Sequence, residues 1–186
     1  MKKAKQVWEW LKEKNRPKGF SLKGFLVAVL TIIIFGGGYL ASPYKLGASL
    51  TTDSVKCRVF IWEKKADPFQ IEIFQGDYVT FQFVKEDIPE ENWEFFKDLR
   101  IIKKVGCASG SYLECQMGIC RCDGQQIITQ TNEEISNHTF TFSGEIPPTK
   151  VFLIGDSDTS YDGRYWGLTS LGGLQGKVRR CLYTKE

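Results

Sequence analysis

The 186-residue chain carries 25 Lys and Arg against 22 Asp and Glu, a net charge of +3 at pH 7 with its single histidine neutral. Eight of those cations (Lys2, Lys3, Lys5, Lys12, Lys14, Arg16, Lys18, Lys23) precede residue 24 against only Glu9 and Glu13, so the tail is net +6 and the remainder net −3. The basic excess is therefore a signal of membrane topology and no argument for nucleic acid, and the length leaves room for one folded domain plus an appendage.

The appendage comes first. GFLVAVLTIIIFGGGYLAS, residues 24–42, has no charge and is long enough to cross a bilayer core with little tilt. Residues 1–23 read as a cytoplasmic basic tail, 24–42 as a transmembrane anchor and 43–186 as an exported domain. A cleaved signal peptide is the alternative. Against it stand the length of the tail, the length of the apolar run, and Tyr39 at the small-residue position before a cut after Ala41. Gly36, Gly37 and Gly38 are open to two readings, close helix packing or, the one favoured, a flexible outer end.

Beyond a spacer, ASPYKLGASLTTDS, strand-like runs follow in order: RVFIW, FQIEIF, DYVTFQFV, LRIIKKV, QQIITQ, HTFTF, VFLIG and GKVRRCLY. Val79, Phe81 and Phe83 alternate with Tyr78, Thr80 and Gln82, and Gly with Asp or Asn marks the turns. PEENWEFFKDL is the one helix-like piece, with Trp93, Phe96 and Leu99 able to share a face. The expectation is a mainly β exported domain behind a single N-terminal helix. Phe60, Ile61, Trp62 and Phe69 are open to two readings, lipid contact or core.

All six cysteines lie in that domain, which favours disulfides over a zinc site, since the C-x4-C-x-C run has poor ligand spacing and His138 is the only histidine. Fifteen pairings are possible. The expected set closes Cys115 on Cys120 across QMGI, with Cys107 on Cys122 and Cys57 on Cys181.

The reactive groups follow by elimination. A Ser-His-Asp enzyme has only His138 to use, and in NHTFTF that residue reads as an edge-strand side chain. Metalloprotease, nucleophile-elbow and phosphate-loop motifs are missing. The sequon Asn137-His138-Thr139 matters only in a glycosylating host. What remains is serine with lysine, and a lysine becomes a base when desolvation lowers its pKa toward neutrality. Lys103 in LRIIKKVG sits among Ile101, Ile102 and Val105, and of Lys103 and Lys104 only one can face inward on a strand. Both remain open to ordinary surface roles on this pattern alone. The run GDSDTSYDGRYWG, residues 155–167, is similarly open to reading as a solvated turn.

Four segments together resemble type I signal peptidases. IIKKVGCASGSYL resembles their lysine-bearing box, and VFLIGDSDTSYDGRYWG resembles their last box. TTDSVKCRVF is similar to the serine-bearing box and QGDYVTFQF to the strand after it. The likeness runs from Thr51 to Val178, and the short chain with one anchor looks most like the TraF-type branch that processes plasmid pilins. It departs at Val55 and Lys56, where Met or a similar residue and then Pro are usual, at Ser109 and Ser111, where the lysine box lacks its Pro and Asp, and at Cys107, where Gly is common.

The resemblance implies that Ser54 is the nucleophile and Lys103 the general base, with Ser160 orienting the amine from the side opposite Ser54. It implies a structural ion pair between Asp162 and Arg164, a turn set by Gly155 and Asp156, and Thr52 as an oxyanion candidate. No metal or organic cofactor is implied. The implied setting is the bacterial inner membrane, N-terminus in the cytoplasm and catalytic domain in the periplasm. The implied partners are the bilayer, an exported preprotein or prepilin and other conjugation-apparatus proteins. Small side chains at the cut are expected to fit shallow pockets. A catalytically silent assembly factor and a general leader peptidase are the competing readings.

Overall fold

The computed structural model describes residues 22–49, 54–65, 67–88, 90–128 and 139–185. Thr52, Asn137 and His138 lie outside them. The chain divides into two compact units, 1–42 and 43–186.

In the first unit a helix runs over Leu22–Ala41. Phe25, Leu26, Val27, Leu30, Ile32, Ile33 and Leu40 are all exposed on it. Among the described residues, which leave out the side chains at 22–24, 34 and 35, no helix is long and apolar enough to cross a membrane.

The second unit is built from strands β1 (Tyr44–Ala48), β2 (Cys57–Lys64), β3 (Tyr78–Gln82), β4 (Arg100–Cys107), β5 (Tyr112–Gln116), β6 (Ile119–Cys122), β7 (Gln125–Ile128), β8 (Phe142–Glu145), β9 (Lys150–Ile154), β10 (Leu168–Ser170) and β11 (Leu174–Thr184). They form a seven-stranded sheet in the order β1-β2-β11-β3-β4-β9-β10 and a four-stranded sheet in the order β7-β6-β5-β8. The expected mainly β architecture is observed. The expected helix is present at Glu90–Phe96.

Strand burial follows sequence. In β9 the run Val151–Ile154 is buried without alternation, as a strand covered on both faces requires. Its residues feed two cores, one with Val79, Phe81, Phe83 and Val105, the other with Leu113, Ile146, Cys107 of β4 and the three cysteines of the smaller sheet. A third core packs Phe60 and Trp62 on Val55, Cys57 and Ile102. Phe60 and Trp62 are thus core, whereas Phe69 is 62% exposed. The pairs Met117-Gly118 and Asp123-Gly124 all have positive φ, the requirement of the tight two-residue turns that join β5 to β6 and β6 to β7.

Three sequence expectations differ from the structure. FQIEIF is not a strand. Asp67 caps Pro68–Gln70 as a 3-10 turn by accepting from the Phe69 amide, and of the run only Ile71 is buried. In the described part of HTFTF, residues 139–141 stand outside β8, which starts at Phe142, and the Phe140 amide instead donates to the Arg164 carbonyl at 2.6 Å. The supposed spacer contains β1, which pairs with β2 from Tyr44↔Glu63 to Ala48↔Val59. A side chain at Gly47 would meet the Phe60 ring at 2.4 Å, so the strand needs a residue that weakens the strand pattern.

The six cysteines form Cys57–Cys181, Cys107–Cys122 and Cys115–Cys120, the set expected from the sequence. The last joins residues directly opposite in the β5–β6 ladder.

Candidate active site

β4 presents its two lysines to different surroundings, as strand alternation requires. Lys103 is 3% exposed, while the Lys104 amine reaches a half-exposed position and pairs with Asp156 Oδ1 at 2.7 Å. The Lys103 amine donates to Ser160 Oγ at 2.7 Å and to the Tyr161 carbonyl at 2.9 Å, and it lies 5.7 Å from the centre of the Trp166 ring. Burial pushes its pKa down to about 8, with Asp162 opposing and Arg164 assisting. Against the ordinary value of 10.5 that is about 3 kcal/mol of preference for the neutral form.

The polar loop after β9 is almost wholly internal. Asp162 and Arg164 are 0% and 2% exposed and meet in two parallel hydrogen bonds, Nε to Oδ1 and Nη2 to Oδ2, both at 2.8 Å. The guanidinium also donates from Nη1 to the Asp158 carbonyl and from Nη2 to the carbonyls of Ser157 and Ser160. Asp162 also accepts from the amides of Gly155 and Arg164. Burial works against the arginine charge, and Asp162 outweighs it, leaving the pKa raised. A buried pair is tolerable when its other donors and acceptors are met in this way. Asp162 also caps the helical turn Gly163–Trp166. Ser160, whose carbonyl is one of those acceptors, is therefore fixed from below while its hydroxyl meets the lysine.

The serine side is assembled around Gly155 and Asp156. A side chain at Gly155 would fall 2.2 Å from Ser160 Oγ and 2.5 Å from the Ser54 carbonyl oxygen; only glycine lets the two serines approach the same point. Asp156 donates its amide to the Ser54 carbonyl at 2.7 Å, and its Oδ2 accepts from the Lys56 amide at 2.9 Å and the Tyr78 hydroxyl at 2.5 Å. Burial alone disfavours the Asp156 charge, but the hydrogen bonds from Lys104, Tyr78 and Lys56 prevail and hold its pKa below the usual value. Burial and the adjacent Asp156 push the Tyr78 hydroxyl well above its ordinary pKa, so it stays a proton donor.

Ser54 and Lys103 line one cavity of about 690 Å³. Of the two contacts expected for the Lys103 amine from the sequence, the one to Ser160 is present, whereas no hydrogen bond joins the amine to the Ser54 hydroxyl among the described residues. Catalytic hydrogen bonds in unliganded sites are often long and tighten only when substrate arrives. Phe60, Trp62, Phe83, Phe96 and Trp166 also line the cavity. Among the described residues β9 pairs with β4 only from Lys104 onward, so residues 100–103, which line the cavity, have a strand neighbour in β3 alone and present an open edge there.

Sequence reasoning missed two contributors. The Tyr161 carbonyl is a backbone acceptor, which no side-chain pattern reveals. The grip of Asp156 on Lys56 and Tyr78 spans separations of 100 and 78 residues; an Asp directly after the glycine that ends a buried strand was its one local sign. No group of His, Cys, Asp or Glu suited to a metal occurs among the described residues.

A family model described as signal peptidase, peptidase S26, matches residues 20–183. No curated protein matches the chain. The crystal structure of a signal peptidase I from Enterococcus faecalis V583 is similar over 58% of this chain and 98% of its own, with 18% identity and a TM-score of 0.36. With nearly its whole length matched by that family model, the chain belongs to the signal peptidase family, peptidase S26, whose members are serine endopeptidases that remove leader peptides from exported preproteins.

Proposed function

We propose that this chain is a membrane-anchored endopeptidase of the Ser-Lys type, maturing a prepilin or another conjugation-apparatus preprotein. The observation that carries the reading is the buried Lys103 amine. A neutral amine has two N–H donors and one lone pair. Ser160 Oγ and the Tyr161 carbonyl take the two donors, which leaves the lone pair for a third partner. Ser54, in the same cavity, is that partner once substrate closes the site.

In this mechanism Lys103 takes the Ser54 proton as the serine oxygen attacks the scissile carbonyl, and an acyl-enzyme forms as the protonated amine passes its proton to the leaving amine. The Ser54 amide is the oxyanion donor, with Thr52 as the candidate second donor. Water completes hydrolysis; an amine terminus of the substrate in its place gives a cyclised product. Ser160 orients the amine, the Asp162–Arg164 pair holds the loop beneath it, and Gly155 with Asp156 holds the serine segment. The substrate lies extended along the open β4 edge at 100–103.

Residues 24–42 serve as the anchor. In favour stand the uncharged sequence, a described helix of 20 residues, about 30 Å long at the usual helical rise, and the exposed apolar side chains along it. The tail charge places the N-terminus in the cytoplasm and the β unit in the periplasm, facing the bilayer from which a preprotein's leader emerges.

Co-expression with a candidate prepilin tests the proposal. Cleavage is expected to appear as a mass shift and to fall by roughly a thousandfold or more in Ser54→Ala and in Lys103→Ala, the scale of removing one member of a concerted pair. A partner bound and left uncut by the wild-type chain would instead mark an assembly factor, and cutting of many unrelated preproteins a general leader peptidase.

A further inference from the structure

The segment bearing Ser54 is held by the far end of the chain. Ser54 stands just ahead of β2, three positions before Cys57. The last residues of β11 pair with the start of β2, Tyr183↔Val59 and Thr184↔Cys57, and the Lys185 amide donates to the Lys56 carbonyl at 2.9 Å. Among the described residues β11 is itself secured by β3 only from Leu174 to Lys177, so its terminal half has β2 as its one strand neighbour there. Its pairing there carries register shifts at Cys181/Tyr183 and Tyr183/Thr184. The covalent tie across this weak end is Cys57–Cys181, which closes a separation of 124 residues.

That disulfide also differs from the other two in access. Cys107, Cys115, Cys120 and Cys122 are at most 2% exposed. Cys57 is 1% exposed, but Cys181 lies on the exposed part of β11. Thiol–disulfide exchange needs an approach to one sulfur, so an aqueous thiol meets this bond first.

We propose that Cys57–Cys181 is a positioning clamp for Ser54, fixing where the serine stands relative to Lys103, and that it is the disulfide an external thiol opens first. The proposal rests on Ser54 being the nucleophile. Neither cysteine touches substrate; both act through the place of the serine. With a dithiol reductant, one thiolate attacks the Cys181 sulfur and releases Cys57 as a thiolate. The second thiol of the reductant then closes a ring and releases Cys181. Two electrons pass to the protein, both cysteines end as thiols, and the reductant ends as a cyclic disulfide. The start of β2 is then held without a covalent tie, by Asp156 at Lys56, by β1 at Ala48↔Val59 with the Ser49 amide on the Arg58 carbonyl, and by the irregular ladder with β11.

The test uses the full chain in detergent and a quenched fluorogenic peptide chosen from a random library by its cleavage with the oxidised enzyme. Brief treatment with dithiothreitol, followed by alkylation and mass mapping, is expected to label Cys57 and Cys181 before the other four. In step with that labelling kcat falls on the order of 10- to 100-fold, the cost of a displacement near 1 Å in a reacting pair. KM and the pH of the rate inflection stay in place, and reoxidation restores kcat. Cys57→Ala with Cys181→Ala reproduces the loss, while Cys115→Ala with Cys120→Ala keeps kcat. Full kcat with Cys57 and Cys181 alkylated overturns the clamp, as does a joint change of kcat, KM and pH profile, which general loosening would give. Ser54→Ala run in parallel separates the two ideas. Activity in that variant removes the nucleophile on which the clamp depends, whereas a dead Ser54→Ala beside a fully active reduced enzyme removes the clamp alone.

Discussion

The two halves of the site are held by different means. The lysine half is mostly local: Lys103, Ser160, Asp162 and Arg164 are each at most 3% exposed, and the side chains of Asp162 and Arg164 tie Gly155, Ser157, Asp158 and Ser160 together within one short loop, into which Lys103 reaches from β4. The serine half is borrowed. Ser54 is half-buried, and its neighbours are held by Asp156, by Lys185 and by a disulfide from distant parts of the chain. A preorganised base costs stability, because an amine must be kept dry, and the local network offsets that cost. A nucleophile that has to receive a substrate strand needs room, and long-range ties leave it room.

Substitutions in the lysine half are expected to sharpen this contrast most. Asp162→Ala strands a buried guanidinium, and removing one partner of a buried ion pair typically costs about 3–5 kcal/mol. Denaturant unfolding should show that loss together with loss of activity; a change below about 1 kcal/mol would mean that the pair is not the keystone of the loop.

Lys103→Met acts in the opposite direction. A lysine whose folded pKa is depressed from 10.5 to about 8 carries its full burial cost below pH 8, and that cost disappears as pH rises from 8 to 10.5, because the unfolded chain binds the proton more tightly. The variant is expected to be inactive yet more stable at pH 7 by up to about 3 kcal/mol. The advantage over wild type should shrink across that pH window, which thermal unfolding at pH 7 and pH 10 would reveal. Equal stabilities at both pH values would break the contrast.

The smallest expected effect crosses between the halves. Gly155→Ala forces the Ser54 carbonyl and the Ser160 hydroxyl apart, and overpacking of this kind costs about 1–3 kcal/mol. Its mark should be a fall in kcat exceeding the loss of stability, measured by parallel kinetics and melting.

The same division explains what the sequence disclosed. The lysine half was legible through the resemblance of its two boxes to signal peptidases, since GDSDTSYDGRYWG by its pattern alone read equally as a solvated turn; alternation along β4 added that only one of Lys103 and Lys104 can face inward. Disulfide pairing was legible where one cysteine sits across a short turn from the next, as at Cys115 and Cys120. The serine half was less so. β1 was hidden in a stretch of five residues weakened by Gly47, and the embrace of β2 by the end of β11 is set by tertiary register. FQIEIF misled because its alternation is that of a strand, while Asp67 and Pro68 bend the start of it into a turn.

The account turns on the protonation of one amine. The direct measurement is the titration of Lys103 in the folded enzyme, read from the pH dependence of kcat/KM and from the 15N chemical shift of its amine. An inflection near pH 8 in both is the predicted result; an amine that titrates near 10.5, with a rate that ignores its protonation, contradicts it.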